Sequence, residues 1–428
     1  MNPYIKAEVW RRGREMLRLP AARQGGWMFL AVFVTGFLNY LANFTVGRLL
    51  GPADYSVYAS LLSILLMLTA ATGIIQTVVT TYMASAATRD HLAEASSLLL
   101  YVLKRFFYLG IIGALFFLLI SKPLAAFLRI PSLLPVIALS PTFLLASVAP
   151  TISGALRGLQ RFGPFGGVQI SGAALRLFSG LLLISLGLGA AGAVSSFFFA
   201  NLGTVGLGVL FLADMLHPSK NDSKPQLEGI WNFSLHTALT LVCFAALTNL
   251  DVVMVKSRFS PTEAGYYSAV ATLGKIALYF PNAVVLLLLP KAAARHARRE
   301  PSADLLKKSL LVVSLLCGGI TLWFLLSPSF TVRILFGEKY LANASLLGWY
   351  GLAMTFYALV NVQMFYYLAV QKMRYTYLLL GGAILLMSAL SLPSLSLGKV
   401  VFILISVGFA LNVTGRWIMR CPGFFRSG

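Results

Sequence analysis

Apolar residues run in blocks of about twenty or more along nearly the whole chain, and polar residues are confined to short stretches between them. A block of about that length crosses the hydrocarbon core of a bilayer as one helix. The pattern predicts twelve spans, roughly 27–47, 53–83, 99–120, 132–153, 167–187, 191–212, 229–250, 262–289, 306–327, 342–368, 376–392 and 400–418. The fifth and sixth are continuous in hydropathy and part at Leu186-Gly-Leu-Gly-Ala-Ala-Gly192, whose glycines suit a sharp reversal. Pro393 closes the eleventh. Pro135, Pro141, Pro150 and Pro281 mark bends in or near spans four and eight.

Two of these blocks open alike. Residues 51–59 read Gly-Pro-Ala-Asp-Tyr-Ser-Val-Tyr-Ala, and residues 260–268 read Ser-Pro-Thr-Glu-Ala-Gly-Tyr-Tyr-Ser. Ser260-Pro-Thr-Glu263 is a capping box with Pro at the first helical position, and Gly51-Pro-Ala-Asp54 is its looser copy. The offset of 209 residues maps span two onto span eight. One polar, turn-rich segment, 213–228, lies between spans six and seven. We therefore expect an all-α polytopic membrane protein of about 12 transmembrane helices in two parallel six-helix repeats. A basic segment 1–26 precedes a bundle at 27–212. The linker 213–228 leads to a second bundle at 229–418 and a tail at 419–428. An even number of spans per half gives both halves the same orientation, as in transporters with parallel repeats.

Composition agrees with membrane burial. The chain is 58% hydrophobic and 11% charged, against about 25% charged for soluble domains. The net charge of +21 does not point to nucleic acid, because topology accounts for it. With the N-terminus inside, 24 of the Lys and Arg residues fall on cytoplasmic segments and eight on outer loops. That bias places both termini in the cytoplasm. Cys243, Cys317 and Cys421 lie in or beside apolar blocks and form neither a disulfide framework nor a metal-ligand pattern. No phosphate-binding glycine loop of the Gly-x-x-x-x-Gly-Lys-Ser/Thr type occurs, so no ATP site is expected. No cofactor is expected either.

Charge inside the blocks is sparse. Arg176 and Lys275 fall near the middle of spans five and eight, where a cation costs about 2.5–3.5 kcal/mol on insertion scales. No mid-span carboxylate is expected to be available to pair with either. They are candidate binders of an anionic ligand; the bland alternative is snorkelling to the interface. Arg48 ends span one, and Asp251 ends span seven with Lys256 and Arg258 behind it. These four are expected near the outer face, as gate salt bridges or as ordinary interfacial charges. Asn39 and Asn43 share one helix face. With Gln76 and Asn282 they are candidate hydrogen-bond partners for sugar hydroxyls, or they simply bridge helices. Asn249, Asn361 and Gln363 are amides of the same kind. His236 is a candidate for ion coupling beside Asp251 and Lys256, although a packed histidine is the plainer reading.

Three stretches carry a resemblance: Arg48-Leu-Leu-Gly-Pro-Ala-Asp-Tyr, Asn249-Leu-Asp-Val-Val-Met-Val-Lys256 and Ser260-Pro-Thr-Glu-Ala-Gly-Tyr-Tyr-Ser-Ala. They resemble the polysaccharide-transport branch of the multidrug/oligosaccharidyl-lipid/polysaccharide flippase superfamily. The resemblance covers nearly the whole chain. It implies translocation of polyprenyl-pyrophosphate-linked oligosaccharide across the cytoplasmic (inner) membrane, by alternating access of two bundles around a cationic cavity. It also implies working alongside a polysaccharide polymerase and glycosyltransferases. Lipid II flippases of the superfamily usually have fourteen spans, and this chain has twelve. The rival readings are a multidrug exporter, which would use intramembrane acids, and a membrane enzyme of polysaccharide assembly, a polymerase or acyltransferase. A polymerase would carry a large outer loop, and none is present.

Overall fold

The structure is a computed structural model. It describes residues 20–88, 92–216, 230–281, 284, 288, 292–295, 298 and 300–420. Among these residues the chain is helical, with no strand. The helices are α1 Pro20–Leu49, α2 Pro52–Thr69, α3 Thr72–Thr88, α4 Leu92–Leu119, α5 Ser121–Phe127, α6 Leu139–Gly158, α7 Phe162–Leu183 and α8 Gly189–Phe211. After the linker come α9 Ile230–Arg258, α10 Pro261–Tyr279, α11 Ala303–Leu326, α12 Pro328–Leu335, α13 Leu346–Ala369, α14 Arg374–Leu390 and α15 Leu397–Arg420.

Long apolar helices and outward-facing rows of Phe37, Phe116, Leu119, Phe178, Leu186 and Leu315 make this a multi-pass membrane protein. Such side chains can face hydrocarbon at no cost, while the helices satisfy their own backbone groups.

The element order repeats. In each half the second helix opens on a Pro and an acid and halts after about five turns. A short helix follows the third span, α5 in one half and α12 in the other. Ser260 accepts from the Glu263 amide at 3.3 Å and Glu263 accepts from the Ser260 amide at 3.2 Å, so the expected capping box is formed. Gly51 gives α2 no side-chain cap.

Three expected boundaries are corrected. Span two is not one helix: α2 stops at Thr69, Ala70 and Ala71 turn, and α3 begins at Thr72. The stop is invisible to hydropathy, because the residues flanking it are all apolar or small. Span seven does not end at 250. Helix α9 continues to Arg258, because a helix ends where its backbone bonds end and not at its first charge. The reversal between spans five and six occurs as expected, with Gly187 at φ +86° and Gly189 at φ +50°, conformations that a side chain resists. The first seven residues of span four, 132–138, however, precede the continuous helix of α6, which starts only at Leu139; four of them, Leu134–Ile137, form a short helix of their own.

The chain falls into two compact units. Unit 1 comprises residues to Val46, Thr72–Ile120 and Ile137–Gln226. Its core joins α3, α4, α6 and α7 through Val79, Met83, Leu99, Ile152, Leu156 and Phe165. Unit 2 comprises Gly47–Ala71, Ser121–Val136 and Leu227 onward. The unit boundary therefore does not follow the linker: α2 packs on α10, its own repeat copy, and on α9, the first helix of the second half. The approach is close. A Cβ on Gly265 would lie 2.0 Å from the Pro52 carbonyl oxygen. Tyr55 on α2 and Thr272 on α10 share a hydrogen bond of 2.9 Å.

Candidate functional site: two deep cations and a buried carboxylate

In unit 1, Arg176 on α7 is 6% exposed. Its two terminal nitrogens donate to the side-chain oxygens of Asn39 and Asn43, each at 2.6 Å. Its guanidinium lies 4.1 Å from the centre of the Phe197 ring on α8. The four-residue spacing that puts both amides on one face of α1 is what lets a planar fork reach both. Asn39 is itself held, donating to the Thr35 carbonyl at 2.9 Å. The structure thus joins three expected site residues into one cluster. Phe197 was not anticipated; its signal was an aromatic run, Phe197-Phe-Phe199, facing the span that carries the arginine.

Unit 2 places the second deep cation similarly. Lys275 on α10 donates to the Asn249 side-chain oxygen on α9 at 2.8 Å. In each half, then, a mid-span cation rests on an amide supplied by the half's first helix.

Two residues beyond Asn249 lies Asp251, and its position corrects the expectation that it ends a span near the outer face. It sits seven residues inside the end of α9 and is fully buried. The expectation that no acid is available to pair with the deep cations is corrected with it, since this carboxylate acts electrostatically on Lys275. One carboxylate oxygen, Oδ2, accepts from Tyr267 at 2.7 Å and from Tyr350 at 2.8 Å. The other, Oδ1, is buried without a hydrogen-bond partner among the described residues, as is the Tyr357 hydroxyl. Lys275 is within electrostatic reach of the carboxylate. A buried carboxyl group needs donors, and here tyrosines provide them. Tyr350 and Tyr357 stand two turns apart on α13, and Tyr267 occupies the tyrosine position of the repeated motif. Those spacings were in the sequence, but tyrosines inside apolar helices read as packing until an acid is placed beside them.

The remaining candidates scatter. Lys256, 1% exposed, donates to Ser56 on α2 at 2.9 Å. Arg48 donates to the carbonyls of Leu335, at 3.2 Å, and Ile334, which end α12. Arg258 does the same for α14, bonding Leu392 at 2.7 Å and Ser391 at 2.8 Å. Neither arginine bonds a described carboxylate in these contacts; each neutralises the negative end of a helix. Gln76 is half-buried on α3, where its backbone abuts Gly154 of α6. His236 is half-buried on α9, and its carbonyl accepts from Thr240 at 2.7 Å. Asn282 lies outside the described residues. Gln363 bridges α13 to Asn412 of α15 at 2.8 Å, a helix-tying amide. No group of three or more His, Cys, Asp or Glu residues able to hold a metal occurs among the described residues.

Known proteins place this arrangement. A family profile described as "Polysaccharide biosynthesis protein" matches residues 45–345, more than two thirds of the chain. No curated protein matches in sequence. Among solved structures, an inward-facing MATE-family multidrug resistance transporter of the MOP superfamily is 11% identical and superposes at a TM-score of 0.75. The match covers 90% of this chain and 94% of that one. The MATE multidrug transporter DinF-BH is 16% identical at a TM-score of 0.67, covering 96% and 98%. The eukaryotic MATE transporter AtDTX14 is 13% identical at 0.63, covering 93% and 94%. At such identities the likeness is one of fold.

Proposed function

Because the chain belongs to the polysaccharide biosynthesis protein family, within the polysaccharide-transport branch of the MOP superfamily, we propose that this membrane transporter is a flippase for polyprenyl-pyrophosphate-linked oligosaccharide. It would act by alternating access in the cytoplasmic membrane, alongside the polymerase and glycosyltransferases of a surface polysaccharide.

One observation carries the choice of substrate. Arg176 is sunk in unit 1, its guanidinium bonded to two neutral amides and set against an aromatic ring. A cation in that position favours an anion such as a pyrophosphate. The amides of Asn39 and Asn43 can exchange the guanidinium for substrate hydroxyls as the ligand arrives. Lys275, on Asn249, is the corresponding group of the other half.

The test is flipping of a lipid-linked oligosaccharide in proteoliposomes. Arg176→Ala should cut the rate at least tenfold at unchanged protein level, and Arg176→Lys should restore part of it. Undiminished flipping by Arg176→Ala would remove the anionic-substrate reading.

A second reading has its own observation. Buried Asp251 is the kind of intramembrane acid that a cation exporter uses. A cationic dye offered to the same liposomes separates the two. Dye export that depends on Asp251, without oligosaccharide flipping, would establish the multidrug reading.

A further inference from the structure

Unit 2 contains a cavity of about 480 Å³ where α11, α13 and α15 converge. Three cations line it, each from a different segment: Lys307 on α11, Lys372 in the turn after α13, and Arg416 on α15. Among the described residues no carboxylate lines it. The nearest acid on α11, Asp304, is bonded to Arg295 at 2.6 Å. Among the described residues, none of the three cations is paired with a carboxylate. The positive-inside count assigns all three segments to the cytoplasmic face.

The rest of the lining is apolar and ordered along one helix. Lys307 and Leu311 line the cavity, and Leu315 continues the same face of α11 at four-residue intervals. Leu311 and Leu315 are 62% and 69% exposed. Trp417, beside Arg416, is 61% exposed, as an interfacial anchor would be. From the membrane surface inward, the site therefore runs from charge to bare hydrocarbon.

We propose that this cavity binds an anionic phospholipid, with its phosphate among Lys307, Lys372 and Arg416 and an acyl chain along Leu311 and Leu315. Basic pockets between membrane helices at the cytoplasmic face suit such head groups. A free phosphate would use the cations but leave the leucine track uncovered. The proposal needs only that the chain spans a membrane and is independent of the transported substrate.

The full-length protein, in nanodiscs holding equal amounts of phosphatidylglycerol and phosphatidylcholine, is released and its bound lipid counted by native mass spectrometry. The wild type should retain phosphatidylglycerol about a hundredfold over phosphatidylcholine. Lys307→Gln/Lys372→Gln/Arg416→Gln should bring the ratio to parity, and each single variant should lower it by about fivefold. The single variants decide the matter if the triple variant does not fold. Lys308→Gln, next to the cavity but outside it, should leave the ratio unchanged. An unaltered preference in the single and triple variants overturns the proposal. So does displacement of phosphatidylglycerol by inorganic phosphate, which would make the site one for free anions. Displacement by an equimolar polyprenyl pyrophosphate would also overturn it, since the site would then belong to the substrate.

Discussion

Arg161 and Asp214 show what charge does outside the two deep clusters. Arg161 precedes α7 and Asp214 follows α8, so their ion pair closes the base of a two-helix hairpin in unit 1. Arg161 also donates to the Phe211 carbonyl at 2.6 Å, at the end of α8. The bond to Arg161 holds the Asp214 carboxyl below its usual range. A depressed folded value means stability that is present above the unfolded carboxyl's pKa of about 4 and lost as pH falls through the lower folded value. Both side chains are substantially exposed, at 32% and 56%, so the effect is under about 1 kcal/mol. Asp214→Asn should lower the melting temperature of the detergent-purified protein slightly at pH 7, and the difference from wild type should shrink as pH falls below the unfolded carboxyl's value of about 4 and through the lower folded one. A difference that does not shrink would mean the carboxylate's charge is not what matters.

Helices α2 and α10 carry the clearest signal in the sequence and its most instructive omission. Pro at the first position, an acid in the first turn and tyrosines behind them announced where both helices start. Pro281 marked the end of α10, but nothing announced that α2 stops after about five turns, since Ala70-Ala71 carries neither the ring of a proline nor a change in hydropathy. Asp251 was misplaced for the related reason that a charge was taken to end a hydrophobic block. Tyr267 and Tyr350 make that carboxylate tolerable inside, and a partner such as Tyr350, four helices on, cannot be read locally. Asn39, Asn43 and Arg176, by contrast, were all visible as polar groups in apolar spans, and only their meeting required the fold. The contact of α2 with α10 is testable. Gly265→Ala would gain helix propensity of about 1 kcal/mol but drive a methyl onto the Pro52 carbonyl, 2.0 Å away. Backbone cannot swing aside as a side chain can, so overpacking of about 1–3 kcal/mol should win and the melting temperature should fall. Gly398→Ala, with nothing within 4 Å, should not destabilise. Equal melting temperatures for wild type and Gly265→Ala would mean the two helices are not packed this closely.

What drives transport is a property of the whole protein in its membrane. Moving one negative charge outward across an inside-negative potential releases about 2.3 kcal/mol per 100 mV. An anionic substrate could therefore be driven by potential alone. Asp251, whose Oδ1 has no hydrogen-bond partner among the described residues and which lies within electrostatic reach of Lys275, is the residue we propose for proton coupling. In liposomes loaded with lipid-linked oligosaccharide, a potassium-diffusion potential negative on the cytoplasmic side should speed outward flipping without any proton or sodium gradient. A proton gradient should add to that rate, and Asp251→Asn should abolish the addition while keeping the response to potential. If Asp251→Asn responds to the proton gradient as the wild type does, Asp251 only holds Tyr267 and Tyr350 in place.

The touching of α2 and α10 also bears on ancestry. Two parallel copies of a half, meeting through the same motif on each, have the geometry of a twofold homodimer whose partners were later fused. In such a dimer, one residue would have had to serve on both sides of the contact. Here Gly265 stands where the first copy has Ser56, and the first copy's serine receives the Lys256 ammonium while the second copy's glycine admits Pro52. Fusion is what allows that division. Once both copies lie on one chain, one can give up its side chain for closeness and the other can keep its hydroxyl for a hydrogen bond, a difference that no dimer of identical chains could inherit.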